Sequence, residues 1–354
     1  MIIFFLPNLR AGGAERVLLT LAVELHARGL DVGLLLGKKE GALDDFLPAD
    51  IKLHELGASS AVSMIAPLIS YARKYVPKVI IATLGASVTT ALAKPFLPRE
   101  TKVISRLGNT ITAEYQTLSP AGKLKYRLAG VSGRWFSDHH IFQSKFMRAD
   151  YERFSGGKIT RASVIYNPVN PEIVSLAVKE PEEVFDFLAV GRLMTQKNYH
   201  YLLSIAARPE MEVYSFGIAG QGPMFDELQH RIELEGLQER VVLLGHLSNP
   251  YPIMRGSRFL LSTSLYEGFS NVIIESLALG TPVIATDCPS GNREVITEKN
   301  GRLIPLNDAA AAAGILKEAL ITKFDAAQIS HDAKARFACD IIADQYVNLI
   351  ESIV

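Results

Sequence analysis

Four charged side chains in the second half of the chain have the types and spacing to hold a multiply charged anion and the hydroxyls around it. Arg192 and Lys197 stand five residues apart, just after an apolar run at 185–190 that ends in Gly191. A guanidinium can fork onto two phosphate oxygens and an ammonium acts as a point charge. Hydrogen bonds of this charge-assisted kind contribute roughly 1.5–3 kcal/mol each. As an isolated pair they would read equally as two solvated loop cations. Glu267 and Glu275 sit in a second segment, 262–295, which reads STSLYEGFSNVIIESLALGTPVIATDCPSGNREV. This segment leaves an apolar strand at 259–261, turns through Gly268 and becomes helical from Asn271. Gly280 and Pro282 stop the helix, because glycine accepts the left-handed conformation past the last turn and proline cannot extend it. The amides of the first turn, after Ser270, Asn271 and Val272, have no partner within the helix and form an anion site. The anion expected there is a nucleotide diphosphate, with the two carboxylates gripping hydroxyls on either side.

Strand–turn–helix units must position these groups. Residues 1–6 read as a buried strand, followed by Gly12-Gly13 and a helix whose Val17, Leu18, Leu21, Ala22 and Leu25 recur at helical spacing. The glycine pair allows close backbone approach to a ligand, or is a plain loop needing unusual backbone angles. Strands follow at 32–36, 79–83 and 102–105, with helices near 62–75 and 86–94, which is the order of a doubly wound α/β domain. The second half repeats the order. A strand at 185–190 leads to Gly191, one at 213–218 to Gly220-Gln221-Gly222-Pro223, and one at 241–244 to Gly245-His246-Leu247. Pro223 suits a first helical turn, with Asp226 and Glu227 near its positive end. The Gly220–Gly222 turn fails as a dinucleotide fingerprint, because the third glycine is missing. A helix is expected at 337–354, the alanine run at 309–313 favours a helix, and the sequence contains no internal repeat.

At 354 residues the chain suits two domains of ordinary size. Lysine plus arginine equals aspartate plus glutamate at 37 each, so no overall field favours nucleic acid. Cys288 and Cys339 are the two cysteines, which predicts free thiols in a reducing compartment. The apolar start lacks a basic leader and no run nears the ~20 residues needed to span a bilayer, so a soluble or peripheral protein is expected. One stretch departs from neutrality: from Arg99 to Arg134 basic residues outnumber acidic ones seven to two. Within it Leu124, Leu128, Val131 and Trp135 fall on one helical stripe, with Lys123, Arg127 and Arg134 each one position before a member. Such a helix could lie on an anionic leaflet or collect a polyprenyl diphosphate; it could equally turn its stripe to the core. Gly122, Gly130 and Gly133 argue against an unbroken helix. His139 and His140, before a strand at 141–143, read as second-layer or surface residues rather than catalysts.

Glu267 and Glu275, set within EGFSNVIIESLALGTPVIATD, resemble the E-x7-E signature of the family 4 retaining glycosyltransferases. That resemblance extends to Gly12-Gly13-Ala14-Glu15-Arg16, to Gly191-Arg192-Leu193 with Lys197-Asn198, to the Gly220–Pro223 turn and to Gly301-Arg302-Leu303-Ile304. It implies a GT-B fold, two facing Rossmann-like doubly wound domains with an interdomain cleft. An N-terminal acceptor domain at 1–170 would precede a nucleotide-sugar domain at 171–336, and the helix at 337–354 would cross back onto the first. The boundary falls at Asn167-Pro168-Val169-Asn170-Pro171, where the family carries an asparagine-containing linker. By the same resemblance Glu267, Arg192 and Lys197 are catalytic. Gly12, Gly13, Gly191, Gly220, Gly222, His246, Leu247, Ser270, Asn271, Val272 and Glu275 bind the donor, with Glu275 on the ribose and backbone at His246 and Leu247 on the base. Cys288, Asn292 and Arg293 would form a second wall of the donor sugar, although Arg293-Glu294 could be an ordinary helix-start pair. Arg106, with Asn109 nearby, stands where many relatives place a histidine close to that sugar, and its role is open.

The implied reaction moves a hexose or N-acetylhexosamine from a UDP-sugar to a lipid-linked or polysaccharide glycan, forming an alpha linkage. No metal or cofactor is expected, since fixed cations take the metal's place. The implied partners are the nucleotide sugar, a glycan or polyprenyl-diphosphate-linked acceptor and, through about 120–136, an anionic membrane, with no nucleic acid. A cytoplasmic location on the inner face of the cell membrane follows. Competing readings are a GDP-mannose-dependent transferase, a GT-B epimerase, and a non-catalytic sugar-nucleotide-binding subunit.

Overall fold

Continuous apolar runs form the centre of each sheet, as expected of parallel strands covered by helices on both faces. In the first sheet β1 (Ile2–Leu6) turns Ile3 and Phe5 to one face and Phe4 and Leu6 to the other, all fully buried. The computed structural model describes every residue except Arg10, Ala11, 42–46, Leu84 and Glu182. In the helix at 120–136 it describes the backbone but not the side chains of Ala121, Lys125, Leu128, Ala129, Val131 and Ser132. The chain forms two units, Met1–Pro168 with Cys339–Val354, and Val169–Ala338.

Unit 1 contains α1 (Gly13–Ala27), β2 (Val32–Leu36), β3 (Lys52–Glu55), α2 (Ile65–Tyr75), β4 (Val79–Thr83) and α3 (Gly85–Ala93). It continues through β5 (Lys102–Arg106), α4 (Ile111–Thr117), α5 (Pro120–Phe136), β6 (His139–Phe142), α6 (Lys145–Phe154) and β7 (Ala162–Val164). Its strands pair in parallel in the order β3-β2-β1-β4-β5-β6-β7. The apolar stripe of α1 packs on one face, where Val17, Leu18, Leu21, Ala22 and Leu25 are all buried. Ile342, Ala343 and Tyr346 of the last helix join the same core.

The three glycines of α5 do not break it. Ser119 caps the N-terminus by accepting from the Gly122 amide at 3.3 Å, and Pro120 occupies the first turn. A Cβ at Gly130 would lie 3.0 Å from the Phe154 ring and one at Gly133 would lie 3.3 Å from the Tyr151 hydroxyl. The helix therefore needs small residues where α6 crosses it, and that packing overrides the propensity penalty. Of the predicted stripe, Leu124 is 63% and Trp135 69% exposed, while Leu128 and Val131 lie outside the described side chains. The two ends of the stripe are thus not turned to the core.

Unit 2 contains α7 (Ile173–Leu176), β8 (Phe187–Val190), α8 (Tyr199–Ala206), β9 (Phe216–Ala219), α9 (Phe225–Leu234), β10 (Val241–Gly245), α10 (Tyr251–Gly256) and β11 (Phe259–Ser262). After these come α11 (Asn271–Ala278), β12 (Val283–Thr286), α12 (Asn292–Val295), β13 (Gly301–Ile304), α13 (Ala309–Ile321) and α14 (Ala326–Phe337). The chain closes with α15 (Cys339–Ile353) in unit 1, two residues later than expected because Ala338 is extended and separates it from α14. The second sheet is parallel throughout, in the order β10-β9-β8-β11-β12-β13. Pro223 is a correction: it precedes Met224, the N-cap of α9, so it lies before the helix rather than in its first turn.

Candidate functional site

In a doubly wound sheet, ligands bind beyond the carboxyl ends of the strands where the strand order reverses. In unit 2 that point lies between β8, whose successors run to one side, and β11, whose successors run to the other. The loops leaving these two strands carry Lys197 and Glu267. Their side chains meet, with Lys197 Nζ 2.6 Å from Glu267 Oε1, and the Ser264 hydroxyl donates to the same oxygen at 2.8 Å. The pair is largely withdrawn from water, with the lysine side chain 20% and the glutamate 10% exposed. Backbone and side-chain bonds hold the loops in register. The Leu265 amide donates to the Gln196 carbonyl (2.8 Å), the Gln196 amide nitrogen to the Tyr266 carbonyl (2.9 Å) and the Thr263 hydroxyl to the Lys197 carbonyl (3.0 Å). On the far side the Glu267 amide donates to the Pro289 carbonyl at 3.2 Å. Ser264 and Gln196 belong to this arrangement and were not foreseen; nothing in their spacing marks them.

Four residues after Glu267 the chain enters α11. Its N-cap, Ser270, makes no side-chain cap, and its buried hydroxyl has no hydrogen-bond partner. Asn271 and Val272 follow half-buried in the first turn. An uncapped first turn with an orphan hydroxyl offers donors to an anion. Glu275 stands one turn further on, half-exposed, with the Tyr251 hydroxyl 3.5 Å from its Oε1.

The loop after β8 begins at Gly191, whose carbonyl accepts from the Tyr199 hydroxyl at 3.0 Å. Burial, with the nearby Glu267 charge, pushes that phenol well above its usual range. Arg192 is exposed and makes no hydrogen bond or ion pair among the described residues. Gly220 and Gly222 have a steric reason to be glycine. A Cβ at Gly220 would lie 1.9 Å from the Gly191 carbonyl oxygen, and one at Gly222 would lie 2.2 Å from that of Leu193. These glycines let the turns after β8 and β9 lie against each other, a role visible without any ligand. His246 is exposed and Leu247 half-buried, just past the left-handed Gly245.

The loop at 287–294, expected as a wall of the donor sugar, holds two of its three named side chains inside the fold. Cys288 and Asn292 are buried, and the Asn292 amide nitrogen donates to the Thr286 carbonyl at 3.0 Å. Burial pushes the Cys288 thiol up, and the Glu267 charge adds to it. Arg293 faces solvent in a bidentate pair with Asp287. The short helix α12 turns Asn292 inward and Arg293 outward, so these side chains brace the loop and its surface.

In unit 1 the carboxyl end of β1 leads to Gly12, the N-cap of α1, and Gly13, its first residue. Ala11, which opens the family-like turn, lies outside the described residues. Arg106 is 2% exposed. Its guanidinium donates to Asn167 Oδ1 at 2.5 Å, and its charge reaches the fully buried Tyr346 phenol. This ties β5 to the end of unit 1 and to α15, an interior role where the sequence left the role of Arg106 open. Asn109 accepts from the Thr110 amide at 2.9 Å. It lines a cavity of about 340 Å³ together with residues of α3, α4 and α5. His139 bonds Ser163 at 2.9 Å, and burial pushes it below its usual pKa. This cavity lies in unit 1. The one beside Lys197 and Val272 measures about 10 Å³, room for little more than a water molecule.

Two parallel doubly wound sheets, of seven and six strands in two successive units, are the plan of a GT-B protein. Residues 11–173 match the family model described as Glycosyltransferase Family 4, and residues 175–336 match Glycosyl transferases group 1. The chain belongs to these glycosyltransferases. It is 38% identical over 137 residues to the N-acetylgalactosamine-N,N'-diacetylbacillosaminyl-diphospho-undecaprenol 4-alpha-N-acetylgalactosaminyltransferase of Campylobacter jejuni, covering 38% of this chain and 37% of that protein. It is 34% identical over 167 residues to the lipopolysaccharide 1,6-galactosyltransferase of Salmonella typhimurium, covering 46% of each. The matches thus span less than half the length of these curated relatives. Over 99% of both chains it superposes on the Anabaena protein HepE, solved with UDP, with a TM-score of 0.81 and 22% identity.

Proposed function

We propose that the chain is a retaining glycosyltransferase that moves a hexose or N-acetylhexosamine from a UDP-sugar to a hydroxyl of a lipid-linked or polysaccharide glycan. The observation that carries this reading is the joining of Lys197 and Glu267 at the switch point of unit 2, next to the orphan hydroxyl of Ser270. As the glycosidic C–O bond breaks, the electron pair leaves with the diphosphate. The acceptor oxygen bonds the anomeric carbon from the same face, and its proton passes to the departing phosphate oxygen. Charge grows on that phosphate, and donors fixed in advance stabilise it most. Lys197, Arg192 and the first-turn amides of α11 serve this, with no metal required. Glu267 orients Lys197 and holds sugar hydroxyls, and Glu275 accepts from the ribose.

Relatives support the substrate classes: the Campylobacter protein is named for an undecaprenol-linked acceptor, and HepE has been solved with UDP and with UDP-glucose. The reading puts the protein in the cytoplasm with α5 against an anionic membrane. Leu124, Trp135 and Phe136 are exposed on that helix, and Arg127 is exposed beside them. No helix among the described residues is long and apolar enough to cross a membrane. Incubation with radiolabelled UDP-sugars and GDP-mannose plus a polyprenyl-linked glycan tests the proposal. Transfer from a UDP-sugar with an alpha product supports it. Transfer from GDP-mannose alone, an epimerised donor, or binding without turnover would each contradict it.

A further inference from the structure

Ser264 is 1% exposed and stands just beyond the end of β11, in the loop that leads to Glu267. Its hydroxyl donates to Glu267 Oε1 at 2.8 Å, the same oxygen that Lys197 Nζ reaches at 2.6 Å. One carboxylate oxygen therefore holds an ammonium and a hydroxyl together. The backbone of Ser264 is itself tied to the neighbouring strand. Thr286, the fully buried last residue of β12, donates its hydroxyl to the Ser264 carbonyl at 2.5 Å. The Thr286 carbonyl in turn accepts from the buried Asn292 side-chain amide at 3.0 Å. Asn292, Thr286, Ser264 and Glu267 thus form one buried line of hydrogen-bonded residues running from α12 to the carboxylate.

The two donors on Oε1 answer differently when an anion arrives. An ammonium carries three N–H donors and a full charge, so a phosphate placed beside it draws it strongly. Its hold on Glu267 weakens as charge gathers on a departing diphosphate. The Ser264 hydroxyl is neutral and has one donor, already placed, so the arriving charge draws it far less. It keeps the carboxylate where it is while Lys197 turns to the phosphate. Alanine at this position would leave a buried carboxylate oxygen short of a donor at that moment, which costs more than losing a bond that water can replace. The cost falls on the transition state and not on the bound donor, and a loss of that kind lowers kcat without raising KM.

We propose that Ser264 is a positioning residue, which holds Glu267 in place while Lys197 serves the leaving phosphate. This role rests on the glycosyltransferase reading of the site. The test measures kcat and KM for transfer from a UDP-sugar, and UDP affinity by calorimetry, in the full chain. Ser264→Ala should lower kcat roughly ten- to a hundredfold, the loss of one hydrogen bond to a charged group, with KM and UDP affinity within about twofold of the parent. In a Glu267→Gln background the same substitution should add less than about twofold, because the hydroxyl acts through that carboxylate. Thr286→Val keeps the side-chain shape and removes the hydroxyl behind Ser264. It should lower kcat by a smaller factor, and this loss too should vanish in the Glu267→Gln background, which carries the test if Ser264→Ala fails to fold. Near-parent kcat in the folded variants, an equal loss with and without the Glu267 carboxylate, or a change confined to KM would overturn the assignment. A parent chain that transfers sugar from no UDP-sugar would sink the glycosyltransferase reading and this role with it. Normal transfer by the parent beside an unimpaired Ser264→Ala sinks this role alone.

Discussion

The two units share a parallel doubly wound plan, yet they prepare their ligand surfaces in opposite ways. Unit 2 gathers charge at its switch point: Lys197 and Glu267 are paired at 2.6 Å on adjoining loops, with barely a cavity beside them. Unit 1 leaves a roomy, mostly apolar hollow and puts a neutral histidine in its wall. A nucleotide diphosphate brings its own charge and needs fixed counter-charge. An acceptor sugar brings hydroxyls and apolar ring faces and needs shape. On the proposed reading the same fold would serve both, because the loops beyond the strands vary while the sheets do not.

The sharpest way to break this contrast is to remove charge from unit 2. Lys197→Ala should lower turnover by roughly 10²–10³-fold, the usual effect of deleting one donor to a developing anion, measured as kcat with a UDP-sugar. Near-normal turnover in the folded variant would dissolve the distinction between the units. Next in size is a backbone change. Gly220→Ala drives a methyl to within 1.9 Å of the Gly191 carbonyl. It should cost at least about 2 kcal/mol in urea unfolding, as overpacking does.

Unit 1 should show its neutral interior through pH. The folded chain holds His140 at about 4 and an unfolded histidine titrates near 6.5. Between these values unfolding takes up a proton, so acid favours the unfolded chain. Stability should be full above pH 6.5 and fall by about 1.4 kcal/mol per unit as the pH drops toward 4. His140→Gln should remove that part of the slope in unfolding curves at pH 7, 6 and 5. At the small end, Arg293→Ala should leave the melting temperature unchanged, because its pair with Asp287 is 74% exposed on the arginine side. A clear fall in transfer by that variant would restore Arg293 to the sugar wall.

Much of this was legible in the sequence where one physical signal dominates. The apolar stripe of α1 and the glycine–proline stop after α11 reappear as expected. What escaped depends on tertiary partners. β3, reading KLHE, has no apolar run and forms by pairing with β2 at the sheet edge. The glycines of α5 looked like breaks until Phe154 and Tyr151 were seen against them. The role of Arg106 stayed open in the sequence because its partner Asn167 lies 61 positions away. Ser264 and His140 carry no local signature, since a hydroxyl on Glu267 and an unpaired imidazole are facts of packing.

The central claim is that unit 2 holds the nucleotide through fixed positive charge. Isothermal titration of UDP against the parent chain and Lys197→Ala, at low and at raised salt, tests it most directly. Saturable UDP binding that weakens at least tenfold in the variant, with a smaller salt dependence, is the predicted result. UDP binding of equal strength in both chains, or none in the parent chain, would contradict it.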